Sequence, residues 1–228
     1  MARRLRTTMA RRAAAPDIDA LLQALPPSLA ALAQRGVPHP YRKGAVLIEE
    51  GGSGDTIYVI LSGRLRAFST NLAQDREITY GSYGPGEYVG ELGLDGGRRS
   101  ATVVAEEASL CAVIARPTLE AHIAEHPGFA FELLAKVIAR ARAATLTARQ
   151  LALNDVYGRL KWVLESAASK PDREGWSRVD RLTHRELSAQ LGCSREMVSR
   201  VMKDLERGGH VRTEQQAWGL RLPLPPRW

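Results

Sequence analysis

From Phe129 to Tyr157 the chain reads "FAFELLAKVIARARAATLTARQLALNDVY", with no glycine or proline before Gly158. Glycine costs about 1 kcal/mol and proline about 3 kcal/mol inside a helix, so their absence over such a length predicts one long helix. The preceding region has the opposite character. Between His39 and about Ala115, short β-branched runs alternate with glycines: "AVLIEEGGSGD", "TIYVILSGRLRAFST", "REITYGSYGPGEYVGELGL" and "RSATVVAEEASLCAVI". Strands so closely punctuated by turn signals predict a compact antiparallel sandwich or roll. Gly44, Gly51, Gly63 and Gly86 are its expected turn residues, because positive φ is cheap only for glycine. The fold class is therefore α+β: a β-roll, a long helix and a second unit beyond Gly158.

Along the helix, Leu134, Ile138, Ala141, Thr145, Ala148 and Ala152 recur with 4-3-4-3-4 spacing. That places them on one seam of a heptad pattern. A stripe of small residues lets two helices approach closely, against a neighbouring domain or against a second copy, and a homodimer is the expectation. The seam ends in "LALNDVYGRL", where Asn154, Asp155 and Gly158 are poor helix formers in close succession and predict a hinge over residues 154–158.

After the polar loop "SKPDREGW" comes "THRELSAQLGCSREMVSRVMKDLERGGHV". Thr183 and Glu186 have the spacing of a capping box, in which each side chain satisfies the other's free backbone N–H at a helix start. Leu187 and Leu191 face inward, Gly192 allows a tight turn, and Ser194 is placed to cap a second helix. On that helix Val198, Val201, Met202 and Leu205 form the apolar face, while Arg195, Glu196, Ser199 and Arg200 lie outward near its start. Such a helix suits the DNA major groove, where arginine pairs with guanine and glutamate accepts from cytosine. Solvated charges with local ion pairs are the competing reading. "HVRTEQQAWGLRL" then predicts two short strands, a wing, and "PLPPRW" ends the ladder because proline offers no N–H. A helix-turn-helix followed by a wing, in a chain of net charge +7 and pI near 9.8, points to double-stranded DNA as partner.

The remaining bounds are simple. No run of 18 apolar residues occurs, so no membrane is expected to be crossed. Cys111 and Cys193 are far apart in sequence, which indicates neither a disulfide framework nor a metal site and fits a reducing cytoplasm. "MARRLRTTMARRAAAPD" carries five arginines before its first acid, Asp17; residues 1–17 read as a disordered basic tail, with a transit peptide as the alternative. His39, His122 and His126 read as surface or turn histidines. There is no Ser/His/Asp set, metal-ligand spacing or Gly-x-x-x-x-Gly-Lys loop, so an enzyme is not expected.

One further stretch, "YVGELGLDGGRRSATV", combines Gly90 and Glu91 with Arg99 and Ser100 around a glycine-containing turn. Arginine and hydroxyl donors suit a phosphate, and a carboxylate suits a ribose hydroxyl; a surface ion pair in a β-turn is the bland alternative. With "GELGL", "RSA", "LALNDVYGRL" and "GCSREMVSRVMKDLE" in this order, the chain from about Tyr41 to Leu222 resembles the Crp/Fnr family of bacterial transcription regulators. The resemblance implies an effector domain of the cyclic-nucleotide-binding, jelly-roll-like kind over residues 18–126. It further implies a dimerisation helix over 127–153, a hinge over 154–158 and a winged helix-turn-helix over 159–228. It implies that Gly90, Glu91 and Leu92 line the effector pocket, with Glu91 on a ribose 2′-hydroxyl and Arg140 supporting it. Arg99 and Ser100 would hold a cyclic phosphate, and Thr145 would meet the base. Arg195, Glu196 and Arg200 would read a TGTGA-like half-site, with Ser199 also among the DNA-binding residues, Thr183 and Ser194 near phosphates and RNA polymerase as a partner if the protein activates.

The chain departs from the family's cyclic-AMP pattern in two places. Ala144 and Thr145 stand where an adjacent Thr and Ser meet the adenine, and the loop from Glu91 to Arg99 is two residues shorter. Cyclic AMP is the expected effector, with cyclic di-GMP, or none, as alternatives and no other cofactor. A regulatory subunit of an enzyme would share the roll without needing Thr183–Leu205. The oxygen-sensing branch needs four cysteines for its iron–sulfur cluster, and this chain has two.

Overall fold

The computed structural model describes residues 17–228 except 72, 74, 75 and 181. The expected basic tail lies outside the described residues but for Asp17, which caps the first helix by accepting a hydrogen bond from the Ala20 N–H at 3.1 Å. Two short helices, α1 (Ile18–Gln23) and α2 (Pro27–Ala33), precede eight strands: β1 (Val37–Tyr41), β2 (Val46–Ile48), β3 (Ile57–Ser62), β4 (Leu65–Asn71), β5 (Arg76–Tyr83), β6 (Tyr88–Val89), β7 (Thr102–Ala105) and β8 (Ser109–Ile114). The strands form two four-stranded antiparallel sheets, ordered β1-β8-β3-β6 and β2-β7-β4-β5. Gly44, Gly51, Gly63 and Gly86 all have positive φ, as the turn reading requires.

Alternation along the strands gives the roll two apolar layers. Ile48, Ile60, Leu65, Val89, Val103 and Cys111 pack together, and Val59, Leu61, Ala112 and Ile114 face the other way, against α1 and α2. Burying a large aliphatic side chain contributes about 1.5–3 kcal/mol, so these two layers hold the roll. The helix α3 (Arg116–Glu125) then leads to α4 (Gly128–Leu153), whose 26 residues span about 39 Å. Its one buried residue, Phe129, anchors its base. The seam residues Leu134, Ile138, Ala141, Thr145, Ala148 and Ala152 are exposed, so the seam packs on neither domain of its own chain.

The helix breaks at Asn154 and Asp155, both extended, and α5 (Val156–Ala167) starts at once, with the Asp155 carboxylate accepting from the Gly158 N–H at 2.7 Å. The break is thus two residues, shorter than the expected hinge. Gly158 belongs to α5, where a Cβ would come within 3.2 Å of Asn154 Cβ and Asp155 Oδ1. Beyond it lie β9 (Trp176–Asp180), α6 (His184–Leu191), α7 (Arg195–Arg207), β10 (Val211–Thr213) and β11 (Ala217–Arg221). The expected wing strands are β10 and β11; β9, which the sequence reading missed, pairs with β11 and makes the sheet three-stranded. Leu160, Leu164, Leu187, Leu191, Val198, Met202, Leu205 and Trp218 form the core of this unit. Its helix α6 packs beside β5 of the roll, and a cleft of about 70 Å³ lined by Leu146, Gln150, Leu151, Arg159 and Trp162 lies where α4 meets α5. No helix among the described residues is long and apolar enough to cross a membrane.

Candidate effector pocket and nucleic-acid interface

Glu91 opens a single 3₁₀ turn, Glu91–Gly93, directly after β6. Gly90 before it has φ 97°, and a Cβ there would stand 2.5 Å from the Thr56 carbonyl oxygen, so no other residue fits. This turn drives the Glu91 carboxyl inward until its side chain is 1 % exposed. Arg140 arrives from α4 and forms an ion pair with Glu91 Oε2, donates from Nη2 to the Tyr88 carbonyl, and lies 4.6 Å from the Tyr83 ring centroid and 5.7 Å from that of Tyr88. The ion contact lacks hydrogen-bond alignment, and Glu91 Oε1 has no partner among the described residues. A buried carboxylate oxygen left without a donor costs energy, and a hydroxyl from outside would satisfy it. Burial pushes the Tyr88 phenol up to about 12, although the Arg140 charge opposes the shift.

Arg99 is also buried, but its guanidinium turns toward the protein. Nη1 donates to the Gly90 carbonyl at 2.7 Å, and Nη2 to Thr56 O and Oγ1, both at 3.0 Å. Of its five N–H groups, Nε–H and one on Nη1 remain for an anion. Ser100 beside it is exposed, and so is Leu92. Arg140 and Glu91 are therefore brought together, with Arg99 tied to the same Gly90. Thr145 stands apart, about 7.5 Å further along α4, exposed, with its hydroxyl donating to the Ala141 carbonyl at 2.9 Å. Thr56, Tyr83 and Gly54, where a Cβ would come 3.1 Å from Arg99 Nη2, were not found from sequence. Tyr83 comes from the end of β5, and Gly54 and Thr56 from the loop before β3, distant in sequence from Arg99 and with no local signal to link them.

The second site is local. Thr183 Oγ1 accepts from the Glu186 N–H at 3.1 Å, and Glu186 Oε2 accepts from the Thr183 N–H at 2.6 Å, completing the capping box. Gly192 turns the chain at φ 63°, and Ser194 Oγ accepts from the Met197 N–H at 3.3 Å. Both cap hydroxyls accept from backbone and keep an O–H to donate. On α7 the buried face holds Val198, Met202 and Leu205, with Val201 half-buried. Arg195, Glu196, Ser199 and Arg200 share the opposite stripe beneath an open concavity of about 460 Å³. Lys203 completes the stripe; its place four residues after Ser199 was the signal that would have found it. Among the described residues, Arg195, Glu196, Arg200 and Lys203 make no ion pair and no side-chain hydrogen bond, unlike the neighbouring Arg207, which lies 3.8 Å from Asp204.

The histidines correct one expectation. His39 and His126 are exposed, but His122 is 1 % exposed, packed against Phe129 at 5.1 Å and His126 at 4.8 Å. It occupies a core position of α3 because its neighbour on α4 is the buried Phe129. Burial, then the charges of His126 and Arg35, lower its pKa, against smaller opposing effects of Glu125 and Glu132. Cys111 is fully buried, which pushes its thiol up to about 12, and burial raises Cys193 too.

The two parts of the chain that carry these residues match known domains. The model of the cyclic nucleotide-binding domain matches residues 38–126, and that of the Crp-like helix-turn-helix domain matches residues 158–225. The cyclic AMP receptor protein of Thermus thermophilus is 35% identical over 173 residues, covering 75% of this chain and 78% of that protein. The chain belongs to the Crp/Fnr family. A second Crp/Fnr relative, the CRP-like cAMP-activated global transcriptional regulator of Mycobacterium tuberculosis, is 31% identical over 83% of this chain and 86% of its own. Among solved structures, the c-di-GMP responsive global regulator CLP of Xanthomonas campestris superposes with a TM-score of 0.73 at 24% identity, over 85% of this chain and 97% of that one. The Thermus thermophilus catabolite activator protein gives 0.51 at 30% identity, over 88% and 93%. As a Crp-family protein, this chain is a cyclic-nucleotide-binding transcription regulator with a DNA-binding helix-turn-helix.

Proposed function

We propose that the chain is a homodimeric, sequence-specific regulator whose effector is cyclic AMP, bound in the roll and sensed through α4. The observation that carries this is the unpartnered Glu91 Oε1, buried beside an arginine that comes from α4 itself. A ribose hydroxyl donating to Oε1 would satisfy the stranded oxygen and so bias the position of α4. Gly90 admits the close backbone approach, Arg99 and the Ser100 hydroxyl would hold the phosphate, Leu92 would line the rim, and Thr145 would face the base from α4. Both curated relatives named above are cyclic-AMP proteins by name. Likeness to the c-di-GMP responsive regulator, at 24% identity, is a likeness of fold.

In the same reading, residues 18–126 are the effector domain, 127–153 the dimerisation helix and 154–158 the hinge, with residues 159–228 as the DNA-binding unit. The exposed seam from Leu134 to Ala152 would be covered by its twin. Arg195, Glu196, Ser199 and Arg200 would read base edges of a TGTGA-like palindrome, and Thr183 and Ser194 would donate to phosphates. The protein would work in the cytoplasm, without catalysis, and contact RNA polymerase where it activates. Calorimetric titration with cyclic AMP, cyclic GMP and cyclic di-GMP in parallel tests the effector: tight binding of cyclic AMP that Glu91→Gln weakens at least tenfold is expected. Preference for cyclic di-GMP, or no binding at all, would overturn this assignment.

A further inference from the structure

The stripe on α7 contains one residue that is not free. Ser199 Oγ lies 2.7 Å from Nδ1 of His184, the first residue of α6, so a hydrogen bond joins the two helices across the turn. Its partner is itself held. The His184 ring lies nearly parallel to that of Trp218, at 6.5 Å and 28°, and Trp218 is a buried residue of the wing strand β11. One imidazole thus joins α6, α7 and the wing at the centre of the outward stripe, between Glu196 and Lys203.

We propose that His184 is a specificity-positioning residue, which acts on DNA through Ser199. The inference rests on the reading of α7 as the helix that meets base edges. A free serine hydroxyl rotates and serves as donor or acceptor, so it pairs with any base and discriminates poorly. A serine whose O–H is committed to a ring nitrogen does not rotate. When Nδ1 is bare, the serine O–H donates to it and only lone pairs face outward; these accept from the exocyclic amines of adenine or cytosine. When Nδ1 carries hydrogen, the serine oxygen accepts but keeps an O–H and a second lone pair, and pairs as broadly as a free serine. The positioning role therefore belongs to the bare-Nδ1 tautomer, in which the hydroxyl offers only acceptor sites to the DNA and discrimination at one base pair follows.

The test begins with a duplex selected by the full-length protein, with and without saturating cyclic AMP, from a randomised library. Affinities are then measured for that duplex and for each of its single base-pair variants, with the wild type, His184→Ala, Ser199→Ala, the double variant and His184→Asn. Both alanine variants should flatten discrimination at the same base pair by about tenfold and leave the other positions alone. The double variant should lose no more than either single one. His184→Asn, which keeps a polar atom near the place of Nδ1, should restore most of the discrimination. A uniform loss on every duplex in His184→Ala, or losses that add in the double variant, would overturn the proposal while leaving the DNA reading intact. Failure of the wild type to select any sequence would overturn the DNA reading, and this inference with it.

Discussion

Glu91 illustrates what one buried charge demands of its surroundings. Its backbone needs a glycine before it, its carboxylate needs Arg140 from a distant helix, and one oxygen still lacks a partner. Removing Arg140 leaves an uncompensated buried charge, so Arg140→Ala should destabilise the fold by about 3–5 kcal/mol, whereas Glu91→Gln, which removes the charge and keeps the shape, should cost much less. Chemical denaturation of both variants checks this; equal losses would mean that a stranded Glu91 charge does not set the cost. His122 gives a pH prediction. Burial holds its folded pKa below the unfolded value of 6.5, so the unfolded chain takes up the proton first. Stability should be complete above about pH 6.5 and fall as pH drops through that value toward the lower folded pKa. His122→Gln should flatten this part of the stability profile, and an unchanged profile would place the acid sensitivity elsewhere. Neither residue's environment is written beside it in the sequence. The role of Glu91 could be read only through the family resemblance, and His122 was taken for a surface residue because its buried neighbour is on another helix.

Elements differ in how far their sequence specifies them. The helices α6 and α7 were legible because their signals are local: a Thr-x-x-Glu box, a left-handed glycine, a serine cap and apolar residues on one face. The strand β9 was not, since five residues with only Ser177 and Val179 buried become a strand by pairing with β11, some forty positions later. Thr183→Ala should therefore cost about 1 kcal/mol in stability, through loss of the cap alone. Arg195→Ala should leave stability unchanged, because its exposed side chain makes no ion pair or hydrogen bond among the described residues, and should cost about 1–3 kcal/mol on the preferred duplex with little effect on unrelated DNA. Comparison of the two affinities decides: a uniform loss would mark Arg195 as a phosphate contact. The helix α4 lies between these extremes. Its length was legible from the absence of glycine and proline, but its seam is left exposed among the described residues, so the heptad spacing alone did not say what covers it.

At the scale of the molecule, two folded units meet at a two-residue break and along a shallow contact, in which α6 rests beside β5 and the cleft at Gln150 and Trp162 stays partly open. An interface of this kind permits more than one arrangement, and an effector changes the balance only by contacting one arrangement better than another. In the proposed reading Arg140 would supply that difference, since it belongs to α4 and pairs with the buried Glu91. Pairing of two α4 seams would bring two α7 helices to successive major grooves about 34 Å apart. Ile138→Arg, which puts a charge on the seam, should convert a dimer to a monomer in sedimentation and abolish tight binding to a palindrome; a variant that stays dimeric would place the interface elsewhere. The central claim is that the roll gates the DNA-binding unit. It is tested most directly by the affinity of the wild-type protein for its selected duplex with and without saturating cyclic AMP. A tightening of about 5- to 150-fold is predicted, with DNA tightening cyclic AMP binding by the same factor. Equal affinities under the two conditions would contradict the account.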